Sequence, residues 1–307
     1  MRKTGRNRIP VAFRNVKLYN KQYKRERTVT MAMNERKEIT AATLKWIAVI
    51  TMIIDHFGAS ILETWLYRSQ LPYYDWMLQL DRVCRSIGRM AFPIFIFLMI
   101  EGLYHTRNRW KYLARLLLLA FISEVPFDCA FFLSRYQFDN HVFIEFGYQN
   151  VFVTLSIGLF MCILLEKVRP RTHHFALDRE MEAQTGNPIV DDTPKMILLK
   201  ALACVVIMVA CAYANEFLRA DYGATGIIGF IGMYWGNVWF RENWRTFLLG
   251  VAGLTMLNRF EMVAVVDLFF ITRYQGTKGK SMNKWFFYFV YPVHLAIYGF
   301  LVWKFII

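Results

Sequence analysis

Nine apolar runs, separated by polar and charged links, constrain this chain more than any other feature of its sequence. Several runs approach the roughly 20 residues that a helix needs to cross the hydrocarbon core of a bilayer. Hydrophobic residues fill 56% of the 307 positions, above their usual share in a soluble domain. The sequence therefore predicts an all-α integral membrane protein, a polytopic helical bundle of about nine transmembrane helices, with eight to ten as the range. The runs are 44–62, 87–104, 112–133, 151–165, 196–214, 223–240, 246–257, 262–272 and 285–305.

The seventh and eighth runs are short, and only Asn258-Arg259-Phe260-Glu261 separates them. A hairpin of two thin spans and a re-entrant pair both fit this pattern, because backbone at membrane depth must satisfy its hydrogen bonds inside the protein. The sequence leaves both alternatives for 246–272 open.

Positive charge is concentrated at the amino terminus, where residues 1–40 carry a net +9 of the chain's +14. Basic segments beside apolar runs mark the cytoplasmic side of a membrane, and the basic links 105–111, 241–245 and 273–284 alternate with mixed or acidic ones. We expect a cytoplasmic basic arm over 1–43 and a transmembrane domain over 44–307 with a cytoplasmic loop at 166–195. The predicted location is the cell membrane, with the amino terminus inside and the carboxyl terminus outside.

The arm suits anionic lipid headgroups of the bilayer, and no nucleic-acid-binding motif accompanies its charge, so no nucleic-acid partner is expected. The five cysteines form no CxxC pair, and no His, Cys, Asp and Glu spacing typical of a metal site occurs. We therefore expect no metal. Walker A, GxSxG, HExxH and Rossmann signatures are also absent from the sequence.

Ionisable residues inside the apolar runs are the strongest functional signal, because each costs at least a few kcal/mol to place in a membrane. With the predicted topology, most of them lie in the outer half of the bilayer. They predict a polar chamber near the outer face. The residues are Asp55, His56, Arg85, Arg89, Glu124, Asp128, Asp267, Tyr291 and His294, and Asn150 and Asp221 start or precede runs from the same side.

Less specific interpretations compete with this one. Glu124 and Asp128, four residues apart on one helix face, are explained equally well as partners of arginines that hold helices in register. Arg89 lies close enough to a run end to extend toward the headgroups. Neutral imidazole at His56 suits proton abstraction, and the adjacent Asp55 either orients that ring or pairs with an arginine.

Five blocks of the sequence resemble the TraX family in family order, and together they span about residues 40–305. They are 44–58 with Asp55-His56-Phe57-Gly58, 85–108 with Arg85-Ser86-Ile87-Gly88-Arg89, 123–128, 150–152, and Tyr291-Pro292-Val293-His294-Leu295. The basic arm and the 166–195 loop have no counterpart in the resemblance. TraX proteins belong to a larger group of multi-span membrane acyltransferases, and the type member acetylates the amino terminus of pilin.

The resemblance implies an acetyltransferase that moves an acetyl group from cytoplasmic acetyl-CoA, a co-substrate, to a peptide or protein amine or a glycan hydroxyl near the outer face. His56 is then the base or the acyl acceptor, Arg89 stabilises the oxyanion or anchors a phosphate, and Asp55 sets the histidine tautomer or holds Arg89. The predicted supporting residues are Arg85, Glu124, Asp128, Asn150, Tyr291 and His294, and the predicted cofactor-binding residues are Glu101, Arg107, Arg109 and Lys111.

Two other functions remain open from the sequence alone. Chains of intramembrane Asp, Glu and His also form proton relays, which would suit a proton-coupled transporter. Polar pairs between helices can also serve only as contacts in a structural subunit of a conjugation or export apparatus.

Overall fold

A computed structural model describes residues 39–69, 75–132, 147–280 and 284–306, and all of its regular elements are helical. Residues 1–38 of the predicted basic arm lie outside the described residues. The α-helices are α1 Ala41–His56, α2 Glu63–Ser69, α3 Asp75–Gly88, α4 Ala91–His105, α5 Arg109–Phe131, α6 Val151–Val168, α7 Ala176–Thr185, α8 Pro194–Phe217, α9 Gly223–Phe240, α10 Asn243–Leu257, α11 Leu268–Ile271 and α12 Lys284–Phe305.

Five stretches among the described residues are long and apolar enough to cross a membrane, which supports a multi-pass membrane protein. They are Ala41–Tyr67, Asp75–His105, Val151–Val168, Pro194–Phe217 and Phe286–Phe305. The predicted count of nine spans is not confirmed. Helix α5 is 23 residues long but carries Arg115, Glu124 and Asp128 within its apolar stretch.

Two predicted boundaries near the amino terminus were wrong. The first helix does not end near residue 62, because α1 continues through a π-helical turn, Phe57–Leu62, into α2. The second begins at Asp75 rather than near residue 87, and it is interrupted at Arg89 and Met90, between α3 and α4. Much of the link predicted at 63–86 is therefore helical.

The short seventh and eighth runs form a hairpin. Helix α10 has 15 residues, and a 3₁₀ helix, Arg259–Asp267, follows it and leads into α11. The side chain of Asn243 donates a hydrogen bond to the carbonyl of Tyr274 at 2.9 Å, so the hairpin returns to the end of the bundle where it began. Both arms are shorter than a full span, and a nine-residue 3₁₀ helix is itself unusual.

Glycines allow a close contact between α9 and α10. A Cβ atom added to Gly232 would lie 2.3 Å from the carbonyl oxygen of Leu249, and one added to Gly253 would lie 2.7 Å from that of Ile228. Only helices that lack side chains at these points can approach so closely. Helices α9 and α10 therefore pack closely against each other along these glycines.

The bundle has two ends, which we name from the predicted orientation. The inner end holds the start of α1, whose Ala41 N–H donates to the Thr277 carbonyl at 2.8 Å. The ends of α4 and α6 lie there too, because Glu101 accepts from the Tyr274 hydroxyl and Glu166 from the Tyr104 hydroxyl. The outer end holds the starts of α6 and α9, where Gln149 pairs with Ala220. The predicted inside links 105–111, 241–245 and 273–280 thus lie at one end.

The segment 166–195 is a folded lobe at the inner end. Arg169 is fully buried, and its guanidinium donates two hydrogen bonds to Asp178 on α7, at 2.6 and 3.0 Å. Glu166 accepts hydrogen bonds from Arg169 and from the hydroxyls of Tyr104 and Tyr234. This network of ion pairs and hydrogen bonds connects the lobe to α4, α6 and α9.

Candidate functional site

A cavity of about 1180 Å³ extends along the inside of the bundle. Lys45, Thr106 and Arg115 line its inner end, whereas Arg85, Glu216, Arg219 and Glu261 line its outer end. Aromatic and aliphatic side chains form much of the wall between them, among them Phe92, Phe95, Leu119, Phe127 and Phe152. An apolar channel with a few polar groups is typical of a small-molecule site.

His56 lies on the wall of this cavity, at the last α-helical position before the π-helical turn. Its Nδ1 atom is 2.6 Å from Nε2 of His294 on α12, and Nδ1 of His294 is 2.6 Å from the carbonyl oxygen of Val290. Phe131 and Tyr291 meet the His56 ring edge to face, with ring centroids 5.5 and 5.6 Å away. The imidazole is thus held in one orientation.

Asp55 does not contact His56, although the two are adjacent in sequence. Its carboxylate accepts hydrogen bonds from Arg85 at 2.7 Å and from Arg89 at 3.3 Å. A Cβ atom at Gly88 would lie 2.2 Å from that of Asp55, so glycine is required for this helix contact. Of the two roles open to Asp55 from the sequence, the geometry supports the pairing with arginine.

Arg89 is the centre of the buried charge cluster. Its side chain is 10% exposed, lies at the break between α3 and α4, and donates to Glu261 at 2.8 Å. The alternative in which Arg89 reaches for the headgroups does not fit this burial. Two carboxylates around one guanidinium compensate the cost of removing the charge from water.

A strained loop covers the cluster from the outer side. Arg219, Tyr222 and Gly223 have φ angles of 49°, 68° and 47°, and left-handed backbone is uncommon for residues other than glycine. The Tyr222 ring stacks on Phe92 with centroids 3.7 Å apart and faces the Arg89 guanidinium at 5.7 Å. Burial raises the pKa of the neighbouring Asp221 carboxyl to about 6, although the nearby Arg89 opposes this. Such strain is typical of functional loops.

The other predicted supporting residues divide between the cavity wall and the packing behind it. Tyr291 and Arg85 line the cavity. Glu124 accepts hydrogen bonds from the side chain and the backbone N–H of Asn150, which also caps α6. Asp128 is fully buried one turn further along α5. Glu124 therefore bonds to an asparagine rather than to any of the arginines expected from the sequence.

The four predicted cofactor-binding residues lie at the inner end but do not line the cavity. Glu101 accepts from the Tyr274 hydroxyl at 2.8 Å, and Arg109 donates to the Leu103 carbonyl at 3.1 Å. Arg107 is exposed, and the backbone N–H of Lys111 bonds to the side chain of Asn108. Their role in cofactor binding stays a prediction.

Sequence reasoning missed several residues of the cavity, among them Lys45, Tyr222 and Glu261. Lys45 carried a usable signal, since it is a lone cation at the second position of the first apolar run. Glu261 lies in the polar link between the seventh and eighth runs. Nothing in the local sequence pairs it with Arg89.

Comparison with known proteins identifies the family of this chain. A model of the TraX protein family matches residues 40–302. The chain belongs to the TraX family. Among the relatives of this TraX-family chain is a protein of Dichelobacter nodosus named "Probable fimbrial assembly protein FimC, serogroup H1". The two are 24% identical over 283 residues, which cover 86% of this chain and 96% of the relative. No solved structure matches.

Proposed function

We propose that this TraX-family chain is a membrane acetyltransferase that uses acetyl-CoA from the cytoplasm and acetylates an amine or hydroxyl near the outer face. One observation carries the proposal: this cavity has polar residues at both ends and an oriented histidine, His56, on its wall. Transfer between two substrates that arrive from opposite sides requires such a passage.

The inner end of the cavity fits the donor by charge. Coenzyme A is polyanionic, and Lys45 and Arg115 provide cations at the cavity wall there. The apolar middle of the cavity suits the uncharged arm that carries the thioester. The outer end has Glu216, Asp221 and Glu261 beside Arg85 and Arg219, a polar environment suited to an acceptor amine or hydroxyl.

His56 serves as general base in this proposal. Its Nε2 removes the acceptor's proton as the new N–C or O–C bond forms and the thioester C–S bond breaks, and the departing sulfur then takes that proton. Arg89, also on the wall, stabilises the negative charge that develops on the carbonyl oxygen. Asp55 and Glu261 position Arg89 for this task.

The class of acceptor is a further part of the proposal, and the names of the family and the relative support it. The family and the fimbrial assembly name of the D. nodosus relative favour a pilus or fimbrial subunit, whose free amino terminus would be the acetylated amine. A glycan hydroxyl remains the alternative acceptor within the same chemistry.

Release of free thiol from acetyl-CoA tests the activity. Purified protein in bilayers is supplied with acetyl-CoA and with a pilin-like peptide that has a free amino terminus. His56→Ala should lower thiol release by about 100-fold or more, the usual contribution of a general base. His105→Ala is the matched control, because His105 is exposed at the inner end and does not line the cavity. Equal rates in the two variants would remove His56 from the mechanism.

Proton-coupled transport is the second candidate, and one observation favours it. Both carboxylate oxygens of Asp267 are buried without a hydrogen-bond partner in the part of the chain that the structure describes. A carboxyl in such a site holds a proton, as relay residues do. Proton flux into vesicles that Asp267→Asn abolishes, together with no thiol release by the wild type, would select transport instead.

A further inference from the structure

Two short contacts fix where the protons lie on the paired histidines. The carbonyl oxygen of Val290 can only accept, so Nδ1 of His294, 2.6 Å away, carries a hydrogen. A neutral His294 then has its lone pair on Nε2. That atom is 2.6 Å from Nδ1 of His56, which must therefore be the donor. In a neutral His56, the lone pair is left on Nε2.

The orientation of the rings agrees with this hydrogen bond. The ring planes of His56 and His294 differ by 7°, and their centroids are 4.9 Å apart. Parallel rings with this spacing and a nitrogen contact of 2.6 Å lie edge to edge in nearly one plane, rather than face to face. The N–H of His56 thus points along the lone pair of His294, the favourable geometry for a hydrogen bond.

The opposite proton arrangement would need a buried cation. If His56 Nδ1 accepted the hydrogen bond, both nitrogens of His294 would carry hydrogens and the ring would be charged. His294 is 7% exposed, and no carboxylate lies within ion-pair distance of it among residues 39–69, 75–132, 147–280 and 284–306. An unpaired charge in such a site is costly.

We propose that His294 is a positioning residue that holds His56 in the Nδ1–H tautomer, with the lone pair of Nε2 available to the cavity. His56 lines the cavity and His294 does not, and Nε2 of His56 has no hydrogen-bond partner within the described part of the chain. The role of this tautomer in acetyl transfer rests on the proposed function. The tautomer itself does not.

A second histidine here does the work that a carboxylate does for the base in hydrolase triads. Asp55, the nearest acid in sequence, is already bonded to two arginines. When Nε2 of His56 takes the acceptor's proton, the imidazolium that forms keeps its Nδ1–H bonded to His294. The proton then leaves from Nε2 to the thiolate sulfur, so no further reactant is needed. Because His294 is neutral, it accepts this hydrogen bond without adding a charge to the membrane interior, as a carboxylate would.

Nitrogen NMR of the protein in bilayers, labelled with ¹⁵N at histidine only, tests the tautomer without any substrate. The His56 signals, assigned by their loss in His56→Gln, should show a protonated Nδ1 and an unprotonated Nε2. A scalar coupling should connect Nδ1 of His56 with Nε2 of His294. A protonated Nε2 on His56, or two protonated nitrogens on His294, would overturn the proposal.

Substitutions at His294 test the positioning role. His294→Gln keeps an acceptor oxygen near the position of Nε2, whereas the shorter His294→Asn places its amide near Nδ1 and cannot reach His56. We expect His294→Gln to retain kcat within about tenfold and His294→Asn to lose about 100-fold or more, with KM for acetyl-CoA unchanged in both because His294 does not line the cavity.

The two variants must first be shown to melt at similar temperatures in detergent. Equal losses of kcat in folded His294→Gln and His294→Asn would refute a positioning role. A wild type that releases no thiol with any acceptor would instead defeat the proposed function, and the NMR measurement would still decide the tautomer.

Discussion

Arg89 and Glu261 lie 172 positions apart in the sequence, and their side chains form an ion pair at 2.8 Å in the interior of the bundle. Arg89 occupies the break between α3 and α4, and Glu261 lies in the 3₁₀ helix of the last hairpin. The pair therefore connects the second helical stretch to the seventh and eighth runs. It is also the contact that keeps the guanidinium at the cavity wall.

Removing Glu261 should destabilise the protein. Glu261→Ala removes one of the two carboxylates bonded to the buried Arg89 guanidinium and leaves Asp55 as the other. Breaking a buried ion pair in this way costs about 3–5 kcal/mol. Glu261→Gln should cost less, since an amide oxygen can still accept from Arg89. Thermal unfolding in detergent measures both. The control is Glu242→Ala, whose exposed pair with Arg245 is worth at most about 1 kcal/mol; an equal loss there would contradict the importance of burial.

Gly88→Ala should disrupt the contact between α1 and α3. The added Cβ would lie 2.2 Å from the Cβ of Asp55, and overpacking of this kind costs about 1–3 kcal/mol. It should also displace Asp55 from the arginines and reduce thiol release. Gly102→Ala is the matched control within a helix, because its nearest neighbour, on the Tyr112 side chain, is 3.5 Å away. If both variants kept wild-type melting temperatures, the helix contact at Gly88 would be looser than described.

Asp221→Asn should stabilise the protein at neutral pH. Burial raises the folded-state pKa of this carboxyl from 3.8 to about 6, so the wild type loses stability as pH rises between these two values. The variant cannot ionise and escapes that loss, while its amide oxygen can still accept from the Tyr222 N–H. The melting temperature of the variant relative to wild type should therefore be higher at about pH 7 than at about pH 4. Asp75→Asn, at the exposed first turn of α3, should show no such gain.

Asp178→Ala should open the inner lobe. Burial alone would raise the pKa of Asp178, but hydrogen bonds from Arg169 and from the Thr172 N–H outweigh it and lower that pKa. The carboxylate therefore stabilises the fold above about pH 4, and this stabilisation is lost as the pH falls below that. Without the carboxylate, Arg169 stays buried with Glu166 as its partner. Limited proteolysis should then cut within 170–193 faster than in the wild type. Asp191→Ala, which removes hydrogen bonds at the exposed surface, chiefly to His173, should leave the rate of cleavage near that of wild type.

Reporter fusions test the predicted orientation. Fusions at positions 107, 243 and 278 should report the cytoplasm, and a fusion at 218 should report the exterior, because the first three lie at the inner end of the bundle. Position 170 is a poor site, since Arg169 beside it is fully buried. Reversed signals would place Lys45 and Arg115 on the outside, and acetyl-CoA would then have no basic entrance from the cytoplasm.

Much of the helical architecture could be predicted from the sequence. Apolar runs at 151–165, 196–214 and 223–240 correspond to α6, α8 and α9, with ends that differ by a few residues. The extension of the first helix through a π-helical turn could not be predicted, nor could the break at Arg89, because both depend on close helix contacts such as Gly88 against Asp55. Runs of apolar residues show where helices form, and they do not show where helices bend.

The choice of partners among the buried polar residues was largely hidden from the sequence. Asp55 and His56 are neighbours in the chain. Asp55, however, bonds to Arg85 and Arg89, whereas His56 bonds to His294 of α12. Successive residues on a helix point about 100° apart, so adjacency did not imply contact. Glu124 likewise bonds to Asn150 on the next helix.

The sequence by itself determined that this chain forms apolar helices and that a few ionisable groups, His56, Arg89 and Asp55 among them, are held within them, because the cost of burying charge singles these residues out. Only the tertiary structure decided which groups meet: His294 joins His56, and Glu261 joins Arg89, across more than half of the chain. Hydrogen bonds and ion pairs act over a few ångströms in space, and local sequence patterns do not show which distant residues come that close.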